Sequence, residues 1–143
     1  MAWQWDDLMN SNLRGPWFLV QALLEELRQS GGCIVNILDV HAERPMQDHA
    51  VYCISKAGLA MMTRVLAREL GPAVRANGVS PGAILWPESD MSDETKASIL
   101  DEVPLARAGS PQDIAGCVVY LVRDATYITG QIVAVDGGRS IGW

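Results

Sequence analysis

The stretch CIVNIL at residues 33–38 decides the fold of this chain, because it is a nearly continuous apolar run that follows two glycines. Runs of this kind are typical of parallel strands that are buried on both faces. A helical pattern follows at residues 50–70, and a second apolar run follows at residues 74–79. The order strand, helix, strand predicts a right-handed crossover, and therefore an α/β fold with a parallel sheet.

The rest of the chain extends this pattern in both directions. Apolar residues recur at helical spacing over residues 4–29, and Gly31 and Gly32 end that helix. On the carboxyl side the sequence predicts a polar helical segment, a helix begun by Ser110 and Pro111, and a last strand, at residues 88–101, 110–122 and 131–135. No repeat or linker divides the chain, so residues 1–143 are interpreted as a single domain unit.

Composition excludes several classes of function. The chain has a net charge of −6, and an acidic chain without a basic patch is a poor partner for nucleic acid. No apolar stretch reaches the ~20 residues that a membrane span needs, and the first residues carry no signal-peptide pattern. Cys33, Cys53 and Cys117 are an odd number without C-x-x-C spacing, which is typical of free thiols in a reducing cytoplasm.

Tyr52 and Lys56 form a candidate proton donor near the start of the second long helix. They are four residues apart, so a helix puts them on one face. A nearby ammonium favours phenolate, and we expect Lys56 to lower the pKa of Tyr52 by about 1–3 units. Asp39 ends the first strand, where open α/β sheets bind ligands. The alternatives are a surface i, i+4 pair and a strand-end turn residue.

Asn12 is a candidate in the first long helix. Pro16 has no N–H, so the carbonyl of Asn12, four residues earlier, loses its helical partner. We expect the helix to kink there and to leave that carbonyl free to bind water. The alternative is a proline kink without a function.

These residues, together with RANGVSPG at 75–82 and ITGQIVAVDGG at 128–138, resemble the short-chain dehydrogenase/reductase family over essentially the whole chain. The resemblance implies that the chain is the C-terminal part of a Rossmann-type doubly wound parallel sheet. In that family a glycine-rich turn holds the pyrophosphate of the cofactor, and this sequence contains no G-x-x-x-G-x-G or G-x-G-x-x-G run. The strand at residues 33–38 is therefore expected to be an unpaired edge.

The resemblance also implies a role for each candidate residue. Tyr52 would donate the proton, Lys56 would tune it and bind the nicotinamide ribose, and Asn12 would hold a relay water. The residues expected along the cofactor are Tyr52, Lys56, Pro81, Gly82 and Ile84.

Two features are similar to pteridine reductases in particular. Asp39 stands thirteen residues before Tyr52, where the family usually has serine, and PGAILWPE at residues 81–88 lacks the usual threonine. This similarity implies NADPH-dependent reduction of a pterin or folate of the dihydrobiopterin or dihydrofolate type. Asp39 would orient that substrate, because a carboxylate accepts hydrogen bonds from pterin N–H groups. Trp86 and Pro87 would form an apolar wall for the flat ring.

Other functions stay open at this point. One is a generic reductase of ketones or 3-oxoacyl thioesters. Another is a non-catalytic protein that keeps only an oligomerising surface, because the family forms dimers and tetramers through the helices at residues 4–29 and 50–70. Asp39, His41 and Glu43 alternate and could share a face toward a metal ion. The loop composition favours solvated side chains, so no metal site is predicted.

Overall fold

The computed structural model describes residues 2–84 and 91–142. Its strands form one parallel sheet in the order β1-β2-β3, as the crossover pattern predicted. The elements are α1 (Ala2–Met9), a π-helical turn (Asn10–Arg14), α2 (Gly15–Ala22), α3 (Leu24–Ser30), β1 (Cys33–Ile37), α4 (Ala50–Leu70), β2 (Arg75–Pro81), α5 (Asp93–Asp101), α6 (Pro111–Arg123) and β3 (Ile132–Val135), with short 3₁₀ turns at Val40–Ala42 and Arg139–Ile141. The predicted α/β class is confirmed.

Successive residues of the strands face two separate cores. Ile34 and Ala76 pack on one face of the sheet, in the cluster that contains the buried side chains of α4. Val35 and Val79 pack on the opposite face, around Leu121 of α6. This alternation follows from the two-residue period of a strand. It places helices on both faces of the sheet, as in a doubly wound fold.

β1 is an edge strand in the described part of the chain. Its residues Cys33 to Ile37 pair with Arg75 to Val79 of β2, and no strand within residues 2–84 and 91–142 pairs with its other side. The side chain of Ile37 is 45% exposed. The expected unpaired edge is therefore present, and such edges are prone to pairing with other chains.

The first long helix accommodates Pro16 without breaking. The N–H of Gly15 reaches back five residues to the carbonyl of Asn10, which makes residues Asn10–Arg14 a π-helical turn. The wider turn accommodates the missing N–H of Pro16, so the irregularity expected at this proline takes the form of a π-helical turn. A second irregularity occurs at Leu23, which separates α2 from α3.

α4 is the central helix of the fold. Its bounds match the prediction at residues 50–70, and nine of its residues are buried, including Ser55 and Thr63. It crosses the π-helical turn closely, because a Cβ on Gly58 would lie 2.9 Å from a methyl group of Leu13. Among the described helices, α4 has the length and composition of a membrane span. The core helix of a folded domain passes the same test, and the packing of α4 on β2 favours that interpretation.

Most other helix and strand boundaries differ from the predicted ones by one to five residues. β1 ends at Ile37, β3 begins at Ile132, and β2 extends from Arg75 to Pro81. α5 begins later than predicted because the Ser92 side chain accepts the N–H of Thr95 and caps the helix there. α6 has the predicted start, with the side chains of Ser110 and Asp113 capping each other's backbone N–H groups.

Candidate active site

Asp39 and Tyr52 are in direct contact at the carboxyl end of β1. The Tyr52 hydroxyl donates a hydrogen bond of 2.7 Å to Oδ2 of Asp39. The other oxygen, Oδ1, accepts the backbone N–H of His41 at 2.8 Å, which caps the short turn at Val40–Ala42. The two bonds hold the carboxylate in one orientation, directed at the phenol. The sequence placed both residues near one edge of the sheet but did not predict this bond.

Lys56 lies one helical turn after Tyr52, on the same face of α4. Its ammonium group donates a hydrogen bond of 3.1 Å to the carbonyl of Ile37, at the end of β1. The nitrogen is 5.8 Å from the centre of the Tyr52 ring. The lysine therefore links α4 to the edge strand and holds a positive charge beside the phenol. The structure brings together the three residues that the sequence analysis singled out around Tyr52.

The expectation that Lys56 lowers the pKa of Tyr52 is wrong for this arrangement. Burial raises the pKa of Tyr52 above its ordinary value, and the hydrogen bond to Asp39 and the charge of Asp39 raise it further. Burial also lowers the pKa of Lys56, and Asp39 opposes that change. The carboxylate contacts the hydroxyl while the ammonium lies over the ring, so the carboxylate dominates. Tyr52 is held as a protonated phenol at neutral pH.

Asn12 is linked to the turn of α4 that carries Tyr52 by Ser55, a residue that the sequence analysis missed. Its side-chain N–H group donates to the Ser55 hydroxyl at 3.0 Å, and that hydroxyl donates to the backbone carbonyl of Tyr52 at 2.7 Å. Ser55 is fully buried. A serine on the buried face of a helix is the signal that was available, because a buried hydroxyl needs a partner. These bonds couple the π-helical turn to the turn of α4 that carries Tyr52.

The loop after β2 emerges beside the loop after β1, since neighbouring parallel strands end at the same edge. Pro81 ends β2, and the N–H of Gly82 donates to the carbonyl of Val135 at 3.1 Å. A Cβ on Gly82 would lie 2.6 Å from the Cβ of Asp136, so only glycine fits against that turn. Ile84 lines a cavity of about 440 Å³ on the side of β3. The predicted wall residues Trp86 and Pro87 lie outside the described residues.

A second cavity, of about 610 Å³, adjoins Tyr52 itself. Its walls are the first turns of α1, including Trp3, and the residues immediately before and at the start of α4. The sequence analysis did not single out this region, because two groups of residues that lie 40 or more positions apart in the sequence form it. It provides space beside Tyr52 in which a small molecule can bind.

The alternating residues Asp39, His41 and Glu43 do not share a metal-binding face. Asp39 is bonded to Tyr52, Nδ1 of His41 is 2.8 Å from the carbonyl of Arg44, and Glu43 lies 3.8 Å from the guanidinium of Arg64. In the part of the chain that the structure describes, no group of three ligating side chains is placed to hold a metal ion.

Known proteins similar to this chain share both its sequence pattern and its fold. The profile of the family described as enoyl-(acyl carrier protein) reductase matches residues 2–140. The chain is 40% identical over 139 residues to the 3-oxoacyl-(acyl-carrier-protein) reductase FabG of Staphylococcus aureus, covering 94% of this chain and 56% of that protein. It is 39% identical over 141 residues to a protein assigned as ketoacyl reductase 2 of the granaticin polyketide synthase of Streptomyces violaceoruber, covering 96% and 56%.

Two solved structures superimpose closely on this chain. Acetoin dehydrogenase YohF from Salmonella typhimurium superimposes with a TM-score of 0.87 at 31% identity, over 100% of this chain and 58% of that chain. The apo SCOR enzyme from Clostridium thermocellum gives a TM-score of 0.87 at 30% identity, over 99% and 55%. The chain therefore spans little more than half the length of the relatives it matches.

Proposed function

The chain belongs to the short-chain dehydrogenase/reductase family, and from that premise we propose that it provides the catalytic part of an NADPH-dependent reductase of ketones or 3-oxoacyl groups. The observation that carries the proposal is the hydrogen bond of 2.7 Å from the Tyr52 hydroxyl to Asp39, with Lys56 one turn away on the same face of α4. The names of the relatives, which include two ketoacyl reductases, favour this substrate class over pterins.

The residues present fit the nicotinamide end of a cofactor. Pro81 ends β2 and Gly82 follows it at the same edge of the sheet at which β1 ends, and the side chain of Lys56 is partly exposed there. NADPH, when bound, supplies the hydride that reduces the substrate carbon. The pyrophosphate end needs a glycine-rich turn, and these 143 residues contain none. Tight cofactor binding therefore requires residues in addition to those of this chain.

The proton that completes the reduction comes from Tyr52. Its O–H bond breaks as the substrate oxygen takes the proton, and a phenolate remains. Lys56 offsets that negative charge, while Asp39, which accepts only hydrogen bonds when ionised, favours return of a proton to Tyr52. Asn12 and Ser55 fix the helical turn that carries the phenol. This order of events suits reduction, because the resting donor is protonated.

A chimera tests the proposal. The N-terminal part of the Staphylococcus aureus relative, up to the position matching Ala2, would be joined to this chain, and NADPH oxidation would be followed with a 3-oxoacyl thioester. We expect turnover that Tyr52→Phe abolishes. Tyr127→Phe is the matched control, because Tyr127 is fully exposed and remote from the sheet edge. A folded chimera that binds NADPH and reduces no carbonyl compound would refute the proposal.

A pteridine reductase is the second candidate, and Asp39 is the observation that favours it. A carboxylate at this position can orient the N–H groups of a pterin or folate, which a serine does less well. Asp39→Ser separates the two candidates in the same chimera. Loss of dihydropterin turnover with intact ketone reduction would favour the pterin substrate, with Trp86 and Pro87 as its predicted wall.

We also propose that the protein acts as a homo-oligomer in the cytoplasm, a dimer or tetramer built through α1, α2 and α4. Trp5, Trp17, Met61 and Val65 are exposed along a groove of about 510 Å³ between these helices. Apolar side chains arranged in this way mark association surfaces. A protein with this surface and no affinity for NADPH would instead be a non-catalytic oligomerising unit, which is the third candidate. Absence of NADPH binding by the purified, folded chain at millimolar cofactor, where weak binding of the nicotinamide end alone would still be detected, would favour this third candidate.

A further inference from the structure

The loop at residues 40–49 joins the two residues that form the hydrogen bond at the candidate active site. Asp39 follows β1, and Tyr52 lies on the first turn of α4. Asp39 has an extended backbone and caps the 3₁₀ turn that begins the loop, so the conformation of that turn orients its side chain. What holds the loop therefore also holds the hydrogen bond of 2.7 Å from Tyr52 to Asp39.

The first half of the loop is closed on itself by hydrogen bonds. The N–H of Arg44 donates to the carbonyl of Val40 at 3.1 Å, and the carbonyl of Arg44 is 2.8 Å from Nδ1 of His41. A carbonyl only accepts hydrogen bonds, so Nδ1 carries the hydrogen. The backbone N–H of His41 in turn donates to Oδ1 of Asp39 at 2.8 Å. Residues 39–44 thus form one hydrogen-bonded unit, and a displacement of Arg44 would displace His41 and the carboxylate with it.

The second half of the loop is tied to α4 through Cys53. The backbone N–H of Met46 donates to Sγ of Cys53 at 3.4 Å. The carbonyl of Met46 accepts the N–H of His49 at 3.3 Å, and the carbonyl of His49 accepts the N–H of Cys53 at 3.0 Å. In the part of the chain that the structure describes, no other side chain of α4 bonds to the backbone of residues 44–49. The thiol is therefore the side-chain anchor of this half of the loop.

Pro45 joins the two halves. It stands between Arg44, which ends the first hydrogen-bonded unit, and Met46, whose N–H is bound by the thiol. The ring of a proline fixes its φ near −65°, so one of the two backbone torsions at this position cannot vary. A continuous path of hydrogen bonds and one stiff residue therefore leads from Sγ of Cys53 to the carboxylate of Asp39.

We propose that Cys53 is a positioning residue, whose thiol holds the loop at residues 40–49 in the conformation that directs Asp39 at Tyr52. Its effect on turnover rests on the proposed function, whereas its effect on the loop does not. The competing anchor is Val40, which is buried. If the burial of Val40 alone fixed the turn, loss of the thiol would loosen Met46 without reaching Asp39.

Amide hydrogen exchange of the chain itself, followed by NMR, tests the inference without cofactor. The N–H of Met46 reports on the thiol contact, and the N–H of His41 reports on Asp39. In Cys53→Ala we expect both groups to exchange about threefold to tenfold faster. The N–H of Gly78, which bonds to the carbonyl of Gln131, should be unchanged, because it reports on the sheet. Cys53→Ser keeps an acceptor for the N–H and should restore slow exchange at both positions.

Cys117→Ala is the matched control, because Cys117 is a partly buried cysteine of α6 that packs in the other core. It should leave the exchange of both N–H groups as it is. If Cys53→Ala does not fold, Cys53→Val gives the same comparison, since valine fills the space of the thiol and accepts no hydrogen bond. Faster exchange at Met46 alone, equal acceleration at Gly78, or unchanged exchange at both positions would each overturn the inference.

The chimera described above gives a second measurement. Cys53→Ala should lower kcat by about tenfold and change KM less, because misplacement of Asp39 and Tyr52 affects the reacting groups. Cys53→Ser should restore kcat. An active chimera whose kcat does not change in Cys53→Ala would overturn the positioning role. A chimera that reduces no carbonyl compound even with Cys53 intact would refute the proposed function, and the exchange result would still decide whether the thiol holds the loop.

Discussion

At the scale of single residues, burial and Asp39 together raise the pKa of Tyr52. Burial is the first cause of the raised pKa of Tyr52, and the bond to Asp39 is the second. We predict that Asp39→Asn lowers the pKa of Tyr52 but leaves it above the ordinary value near 10, because burial persists. Absorbance titration of tyrosinate, with Tyr52→Phe to identify the signal, measures the change. An unchanged titration in Asp39→Asn would contradict this account.

The same pKa has a consequence for stability. The folded chain binds the Tyr52 proton more tightly than the unfolded chain does, because the folded-state pKa is raised. This contribution is therefore complete below about pH 10 and is lost as the pH rises above that value. Asp39→Asn should reduce the alkaline loss, which denaturant unfolding at pH values on either side of 10 would show.

Ser55 is the residue that joins Asn12 to α4, and its loss should be costly. Ser55→Ala removes the buried hydroxyl that joins the partly buried side-chain N–H of Asn12 to the carbonyl of Tyr52, and we expect the free energy of unfolding to fall by about 1–3 kcal/mol. Denaturant unfolding measures this. Ser98→Ala, on the exposed face of α5, is the control and should change stability by less than ~0.5 kcal/mol. Equal effects of the two substitutions would mean that the Asn12 contact contributes nothing.

At the scale of elements, Gly82 fixes how the loop after β2 meets the turn after β3. A Cβ there would lie 2.6 Å from Cβ and 2.7 Å from Cα of Asp136, so the backbone must move. We predict that Gly82→Ala costs about 1–3 kcal/mol of stability, as overpacking does. Gly116→Ala is the opposite control, because its Cβ would meet nothing within 4 Å. In the middle of α6 it should stabilise the chain by about 0.5–1 kcal/mol. Thermal unfolding of both variants checks the signs.

The elements also show which features the sequence can predict. α4 matched its predicted bounds because Gly71 and Pro72 end the helix. Helix-ending residues of this kind can be identified from the sequence alone. Pro16 was correctly identified as an irregularity, but the sequence did not predict its form, a π-helical turn that packs against α4. The pKa of Tyr52 was predicted in the wrong direction for a similar reason. Spacing placed Lys56 on its face, but the 2.7 Å contact with Asp39 depends on the loop at residues 40–49.

At the scale of the whole molecule, the two faces of the sheet differ in what covers them. α4 packs with α1 and the π-helical turn, and this layer exposes Met61 and Val65, which are 57% and 37% exposed. α6 covers the opposite face and exposes Val119, which is 48% exposed. Both layers therefore present apolar side chains, and the first has a groove between its helices. If the chain self-associates through the first layer, substitutions on that layer should weaken the association, and substitutions on the α6 layer should not.

We predict that Met61→Lys shifts the chain toward monomer, because an ammonium in the middle of an isologous contact meets its own copy across the axis. Val119→Lys, which adds the same charge to the α6 layer, should leave the oligomer intact. Light scattering coupled to size-exclusion chromatography, over a tenfold range of protein concentration, gives the mass of each variant. If Val119→Lys dissociates the oligomer and Met61→Lys does not, α6 is the association surface. If neither does, the exposed edge of β1 becomes the surface to test, because an unpaired strand can also join two chains.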